Sequence, residues 1–273
     1  MSQRFDPHLI LVIRFSYVAL SGFVISKGGE DEVRARLYDP ARLERRFALF
    51  EALTLPSLMA QTDKNFTTVC LIGKDFPRPY RKRLERALSP LHDPRIVKLK
   101  PMNSYRATRA ALDTTVRLAA SHIISMRMDD DDALGMDCIA ETRRLVPHMI
   151  QMAGLDEPSV IAFNAGMFLQ FNPDGPNTLY GVTEKTPLGL GLSMISRRDA
   201  TQSVFSMDHR RVHTKFNTYT DAQTPRFIRT VHRDNDSCGY LAGARHDHDD
   251  AELTRILAAN FPFTLSELRA LRS

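Results

Sequence analysis

The chain has 273 residues, of which 43% are apolar and 25% are charged, a composition that excludes broad disorder and is typical of a globular protein. The longest uncharged apolar run near the amino terminus, residues 9–13, is too short to span a bilayer, and the first residues lack a signal-peptide pattern. Three distant cysteines, Cys70, Cys138 and Cys238, predict neither a disulfide framework nor a zinc cluster, so we expect a reduced, cytoplasmic protein. The net charge of +5 is modest and favours an anionic ligand or surface.

The first half of the chain alternates between strand and helix patterns. Apolar runs predict strands at residues 8–15, 66–72, 95–99 and 122–128. Apolar residues at helical spacing predict helices at residues 42–59, 78–88, 105–120 and 136–152, with Pro56 ending or kinking the first of them. This alternation predicts an α/β fold with a mostly parallel sheet covered on both faces.

The second half is more mixed. Residues 159–171 are strand-like, and residues 179–197 are rich in Gly, Thr and Pro. We predict a helix at 202–216, a last strand at 227–232, and helices at 251–260 and 266–271, the last with Ser266 as its N-cap. Because no repeat or linker marks a boundary, we expect one domain over residues 1–273.

An acidic run (Asp129, Asp130, Asp131 and Asp132) directly follows the apolar strand pattern of residues 122–128. Four adjacent carboxylates repel one another, and open α/β sheets bind ligands at the carboxyl ends of their strands. Mg²⁺ and Mn²⁺ prefer such oxygen ligands, so the run predicts a divalent-cation site, with a solvated acidic turn as the alternative. On this basis, loss of one carboxylate is expected to stabilise the metal-free protein.

The chain resembles GT-A glycosyltransferases in the stretch Met128 to Leu134, which is similar to their Asp-x-Asp-Asp-x-Leu element. The wider chain looks most like bacterial rhamnosyltransferases, through residues 9–15, 55–62, 127–134 and 231–237 in this order. The resemblance implies a GT-A-like three-layer α/β/α sandwich, in which about residues 1–135 would bind the nucleotide sugar and about residues 136–273 the acceptor. It also implies an inverting enzyme dependent on Mn²⁺ or Mg²⁺ that uses a nucleotide-sugar donor, with rhamnose suggested by the family alone.

The resemblance also implies roles for individual residues. Asp131 would bind the metal, Asp129 would lie toward the ribose or the metal, and Asp132 would face the reacting sugar. The extra Asp130 blurs this register by one residue. His232, after the last predicted strand, would complete the metal site, and the tail 245–250 (Arg-His-Asp-His-Asp-Asp) is a rival metal site.

Basic residues that could bind the donor diphosphate occur near the predicted strand ends. A guanidinium pairs with phosphate oxygens through two parallel hydrogen bonds. Arg14 ends the first strand, and Arg109 matches an Ala-Arg element of family 2 glycosyltransferases. Arg127 precedes the acidic run and could hold it together without metal. Asp75 is the substitute for the aspartate that usually contacts the base.

An inverting transferase needs a base that takes the proton of the acceptor hydroxyl. By chain order, Asp208 and His209 are the best-placed candidates, with Asp221 as a further one. We expect a glycan or lipid-linked acceptor and no nucleic acid. The basic helix at 78–88 suggests peripheral contact with an anionic membrane, at its inner face.

Two other classes of function remain open from the sequence. One is a metal-dependent phosphohydrolase or nucleotidyltransferase that uses the acidic run, and the other is a non-catalytic Ca²⁺-binding or interaction protein. A serine hydrolase is disfavoured because there is no Gly-x-Ser-x-Gly elbow, and the chain also lacks the common Gly-rich phosphate-binding loops.

Overall fold

The computed structural model describes residues 5–20, 29–232, 235 and 241–272. Its strands are β1 (Pro7–Arg14), β2 (Thr67–Gly73), β3 (Pro94–Leu99), β4 (His122–Met128), β5 (Ala133–Leu134), β6 (Ser159–Phe163), β7 (Ala165–Gln170), β8 (Thr178–Thr183), β9 (Ser193–Arg197), β10 (Asn217–Asp221), β11 (Phe227–Val231) and β12 (Ala244–His246). Its α-helices are α1 (Glu30–Leu37), α2 (Pro40–Leu49), α3 (Leu55–Met59), α4 (Arg78–Leu88), α5 (Ser104–Thr115), α6 (Cys138–Ala153), α7 (Asp250–Asn260) and α8 (Leu265–Ala270).

A seven-stranded sheet forms the centre of the fold, in the order β10-β6-β9-β4-β1-β2-β3. Only the two pairings of β9 are antiparallel. Alternate residues of β1 point to opposite faces, so Leu11 packs with α2, α4 and α6, and Val12 packs with α5. The predicted three-layer α/β/α arrangement with a mostly parallel sheet is therefore confirmed.

A second sheet, with the order β12-β8-β7-β11-β5, was not predicted. Helices α7 and α8 cover it through a separate apolar cluster that includes Leu253, Leu257 and Leu268. The short strand β5 begins directly after the acidic run and pairs with β11, with Ala133 opposite Ile228. The acidic run therefore lies where the chain crosses from the first sheet to the second.

The helix predicted at 42–59 continues through Pro56, by way of a π-helical turn at Phe50–Thr54 between α2 and α3. A proline ring clashes with the carbonyl four residues earlier, which here belongs to Ala52 within the wider turn. The wide turn thus separates the helical segments α2 and α3.

Three sequence predictions about the second half are wrong. Strand β11 is not the last one, because β12 follows it. Instead of a helix at 202–216, only a 3₁₀ turn at His209–Thr214 forms, because local side chains bond the backbone that a helix would use. The Ser206 hydroxyl accepts from the Ser203 N–H at 2.7 Å, and the Asp208 carboxylate caps the Arg210 N–H at 3.0 Å. Helix α8 is capped by Thr264 rather than Ser266.

Within the described ranges, no helix is both long enough and apolar enough to cross a membrane.

Candidate active site

The acidic run lies at the carboxyl edge of the central sheet, beside the end of β1. Strands β1 and β4 are parallel neighbours with Ile13 opposite Met128, so Arg14 and Asp129 leave the sheet side by side. An Arg14 Nη2–Asp129 Oδ1 contact of 3.4 Å joins them. The Asp129 side chain is 43% exposed and stands at the mouth of the site, whereas the other three aspartates are buried.

Arg46 of α2 is the cation that holds the acidic run. Its Nη1 donates to Asp131 Oδ2 at 2.7 Å, while Nη2 and Nε reach the two oxygens of Asp130. The side chains of Arg46, Asp130 and Asp131 are 5%, 0% and 4% exposed, so this ion cluster is desolvated. We predicted that Arg127 could hold the run, which is wrong for the metal-free protein, because Arg46 takes this place.

Asp131 is shared between the two halves of the chain. Its Oδ2 also contacts His232 Nε2 at 3.0 Å and accepts from Asn235 Nδ2 at 3.3 Å. Burial alone would raise the pKa of Asp131, but the charge of Arg46 and the hydrogen bond with His232 outweigh it and hold the pKa below its ordinary value. The structure thus brings together Asp131 and His232, which the sequence placed 101 residues apart.

Asp132 faces β11. Its Oδ1 accepts from the Thr230 N–H at 2.7 Å and lies 3.3 Å from the Thr230 hydroxyl, and its carboxylate is buried. Burial and the neighbouring charges of Asp131 and Asp129 raise the pKa of Asp132 well above its ordinary value. Asp132 therefore links the run to the second sheet, and a contact with the reacting sugar stays a prediction.

Helix α3 and the turn before it cradle the segment that contains the run. The Thr54 hydroxyl donates to the Asp132 carbonyl at 2.8 Å, and the Ser57 hydroxyl accepts from the Leu134 N–H at 3.2 Å. The Gln61 amide donates to the Gly135 carbonyl at 2.8 Å and accepts from the Ile139 N–H at 3.1 Å. Part of the sequence resemblance, residues 55–62, thus has a physical role in positioning the acidic run.

Two arginines lie together near Asp129, packed against one aromatic ring and one glycine, and we call Arg14, Arg127, Phe205 and Gly189 the arginine pocket. Both guanidinium groups lie within 6 Å of the Phe205 ring centroid, at 5.9 and 5.7 Å. The Arg127 Nε is buried and has no hydrogen-bond partner among the described residues. Burial and the charge of Arg14 lower the pKa of Arg127 to about 10. A Cβ on Gly189 would lie 2.7 Å from Arg127 Nε, so a side chain at this position would displace the Arg127 guanidinium.

Asp208 and His209 stand next to the arginine pocket. The Asp208 side chain is 56% exposed and its Oδ1 lies 3.6 Å from His209 Nδ1. Burial and the charge of Arg127 lower the pKa of His209 to about 3, so its imidazole is neutral near pH 7. The following Arg210 reaches the buried Glu184 at 3.2 Å, a contact not predicted from the sequence, and so ties this turn to the end of β8.

Other predicted site residues are engaged elsewhere. Arg109 binds Asp113 of its own helix and the Ala200 and Arg198 carbonyls, so its guanidinium anchors a loop. Asp75 accepts from Arg34 Nε at 2.5 Å and from the Tyr38 hydroxyl at 3.2 Å. A donor-binding role for either residue stays a prediction.

Asp221 and the histidine-rich tail are also engaged outside the acidic run. Asp221 caps the N–H groups of Gln223 and Thr224. In the tail, His246 lies on β12, at the far edge of the second sheet. Its Nε2 lies 3.0 Å from the hydroxyl of Thr183 on the neighbouring strand β8. Within the part of the chain that the structure describes, no three His, Cys, Asp or Glu side chains converge as a metal site, here or at the acidic run.

A family model described as putative rhamnosyl transferase matches residues 8–243, which confirms the resemblance inferred from the motifs. Residues 1–349 of TarS from S. aureus, solved in complex with UDP, are 12% identical with a TM-score of 0.43, over 82% of this chain and 60% of that one. This chain thus spans about 60% of the TarS fragment.

Two further structures are similar to a comparable degree. HddC from Yersinia pseudotuberculosis is 10% identical with a TM-score of 0.40, over 81% of this chain and 93% of that one. A putative nucleotide-diphospho-sugar transferase from Desulfovibrio desulfuricans G20 is 11% identical with a TM-score of 0.36, over 86% and 84% of the two chains. No curated protein shows significant sequence similarity to the chain.

Proposed function

The chain belongs to the family described as putative rhamnosyl transferase, and we propose that it transfers a sugar from a nucleoside-diphosphate donor to a hydroxyl of a glycan or lipid-linked acceptor. Rhamnose is the first candidate for the sugar. One observation carries the proposal: a buried carboxylate–imidazole pair, Asp131 with His232, lies at the same sheet edge as the unpartnered Arg127 Nε in the described residues. Transfer from a nucleotide sugar uses both a metal-binding pair and a cationic donor of hydrogen bonds, because negative charge grows on the diphosphate as the sugar leaves.

In this proposal the arginine pocket binds the donor diphosphate. A buried N–H group without a partner costs free energy, so a ligand oxygen that accepts from Arg127 Nε is favoured. Arg14 lies close enough to lower the pKa of Arg127, and an anion between the two guanidinium groups would relieve their repulsion. The arrangement thus fits an anionic ligand with several oxygens.

We propose that Asp131 and His232 bind Mn²⁺ or Mg²⁺ together with the donor, and that Asp129 lies toward the ribose or the water shell of the metal. Asp131 and His232 fit this role, because carboxylate oxygens suit Mn²⁺ and Mg²⁺, a neutral imidazole is a common metal ligand, and the two atoms lie 3.0 Å apart. With no third ligand converging among the described residues, phosphate oxygens would supply part of the coordination. A bound divalent cation would stabilise the charge of the leaving diphosphate as a Lewis acid.

We propose that Asp208 takes the proton of the acceptor hydroxyl in a direct, inverting displacement. Its carboxylate is exposed to an incoming acceptor and lies within electrostatic range of Arg127, on which the diphosphate would bind. The neutral His209 beside it would donate a hydrogen bond from its Nδ1–H to the Asp208 carboxylate and so orient it.

We further propose that the protein contacts an anionic membrane through α4, where a lipid-linked acceptor would be reached. Arg78, Lys82 and Arg86 are exposed on this helix, whereas Arg83 is bound to Glu44 and Glu51. Co-sedimentation with phosphatidylglycerol vesicles, but not with phosphatidylcholine vesicles, is expected, with loss of binding in Lys82→Glu/Arg86→Glu. Equal recovery with both vesicle types would remove membrane contact from the proposal.

The proposed function is tested by thermal unfolding with a panel of nucleoside diphosphates, with and without Mn²⁺. A ligand that binds only the native state raises its apparent stability, so one nucleoside diphosphate together with Mn²⁺ should raise the Tm more than the sum of both alone. A shift with Ca²⁺ that is insensitive to nucleotide would favour a cation-binding protein. Release of inorganic phosphate from the nucleotide would favour a phosphohydrolase.

A further inference from the structure

Arg46 places a positive charge where a cation is proposed to bind. It is the guanidinium that contacts both Asp130 and Asp131, and all three side chains are almost completely buried. Buried carboxylates of this kind are tolerated when a cation pairs with them in good geometry. The acidic run can therefore fold without metal, because its counter-ion is part of the chain.

Arg46 contacts Asp130 and Asp131 in different ways. Both oxygens of Asp130 are directed to Arg46, and Asp130 is fully buried. Asp131 gives one oxygen, Oδ2, to Arg46, His232 and Asn235 together. Asp130 is thus the partner of Arg46, and Asp131 is the aspartate that faces the second half of the chain.

We propose that Arg46 is a positioning residue that orients Asp131 and weakens the binding of free divalent cations at this site. This inference rests on the metal site of the proposed function. A divalent cation bound between Asp131 and His232 would lie a few ångströms from the Arg46 guanidinium, where like charges repel strongly in a desolvated setting. The diphosphate of the donor offsets that repulsion, so the cation binds well only together with the donor.

The affinity for Mn²⁺ alone, measured by electron paramagnetic resonance of free Mn²⁺, tests the role of Arg46. We expect Arg46→Gln to bind Mn²⁺ roughly tenfold or more tightly than the wild type, since the repelling charge is gone. Arg46→Lys keeps the positive charge that repels the cation and should stay within about threefold of the wild type. Arg83→Gln is the matched control, because Arg83 also bridges two carboxylates, those of Glu51 and Glu44, on an outer surface.

A purely structural role for Arg46 predicts the opposite sign. Loss of Asp131 orientation would weaken Mn²⁺ binding in Arg46→Gln, and equal or weaker binding overturns the inference. Tighter binding in Arg46→Lys to the same extent as in Arg46→Gln would also overturn it. If Arg46→Gln does not fold, the double variant Arg46→Gln/Asp130→Asn replaces it, because it removes the charge of Arg46 and that of its buried partner together. Tighter Mn²⁺ binding than in Asp130→Asn is expected, and equal or weaker binding contradicts the inference.

Failure of the proposed function and failure of the inference about Arg46 give different patterns of Mn²⁺ binding. Mn²⁺ binding by Arg46→Gln but not by the wild type, even with nucleoside diphosphate present, would remove metal from the proposed function and support the role of Arg46. Absence of Mn²⁺ binding in the wild type and all variants would overturn the inference itself.

Discussion

Asp131→Asn is expected to destabilise the metal-free protein, which reverses the expectation from charge repulsion alone. The substitution removes one carboxylate from a buried cluster in which Arg46 neutralises two. Removing one partner of a buried ion pair costs about 3–5 kcal/mol. Because Asp130 still pairs with Arg46 and an amide oxygen can still accept, we expect a smaller loss than this range, about 2–3 kcal/mol.

Chemical denaturation at pH 7 with a chelator measures this difference, with Asp129→Asn as the control. The Asp129 side chain is 43% exposed and has one ion-pair contact of 3.4 Å, so its loss should change the free energy of unfolding by less than about 1 kcal/mol. Wild-type stability in Asp131→Asn would refute the ion cluster as a stabilising feature.

The pH dependence of this difference has a defined sign. The pKa of Asp131 is lowered in the folded protein from an ordinary value of 3.8. Its stabilising contribution is therefore fully present above that value and is lost as the pH falls through the lower folded-state pKa. The gap between the wild type and Asp131→Asn should stay constant from pH 7 to 5, and a gap that closes in this range would contradict the assignment.

Three further predictions concern the arginine pocket and its neighbours. Arg127→Gln should weaken binding of a nucleoside diphosphate by roughly 10- to 100-fold in calorimetry, the loss of a charged hydrogen bond, without lowering the Tm; unchanged affinity would exclude Arg127 from the donor site. The pKa of His209 is lowered from 6.5 to about 3, so the unfolded state binds an extra proton as the pH falls. The free energy of unfolding of the wild type should therefore decrease by about 2 kcal/mol more than that of His209→Gln between pH 6.5 and 5. Parallel plots of this free energy against pH for the two proteins would contradict the burial of His209. Asp208→Asn should lower kcat by roughly 10²–10⁴-fold in a transfer assay, whereas Asp221→Asn should not, and the reverse would identify Asp221 as the base.

Elements in which local pattern and burial agree were predictable from the sequence. Strand β4 and helix α4 have the predicted bounds, because an apolar run and a basic amphipathic stretch each have polar residues or proline at their ends. The turn at His209–Thr214 was missed because single side-chain hydrogen bonds from Ser206 and Asp208 decide it. Helical periodicity does not report such bonds.

The position of the site was predictable, but its internal contacts were only partly so. The acidic run follows β4, and parallel pairing of β4 with β1 brings it to one edge with Arg14. His232 follows β11 of the second sheet, which was not predicted. Arg46 was missed, although it lies on the apolar stripe of α2, three residues after Leu43 and four before Phe50. A charged residue at such a position signals a buried partner, but its identity depends on tertiary packing.

The central claim is tested most directly by measuring release of nucleoside diphosphate from a panel of nucleotide-activated sugars, including deoxythymidine diphosphate rhamnose. The account predicts that one donor is consumed by the wild-type protein in the presence of Mn²⁺ and an acceptor, or slowly with water alone. Asp131→Asn, assayed at a temperature where it is folded, should be inactive, and Asp75→Asn is the comparison outside the acidic run. Consumption of no donor by the wild type, or full activity in Asp131→Asn, would contradict the account.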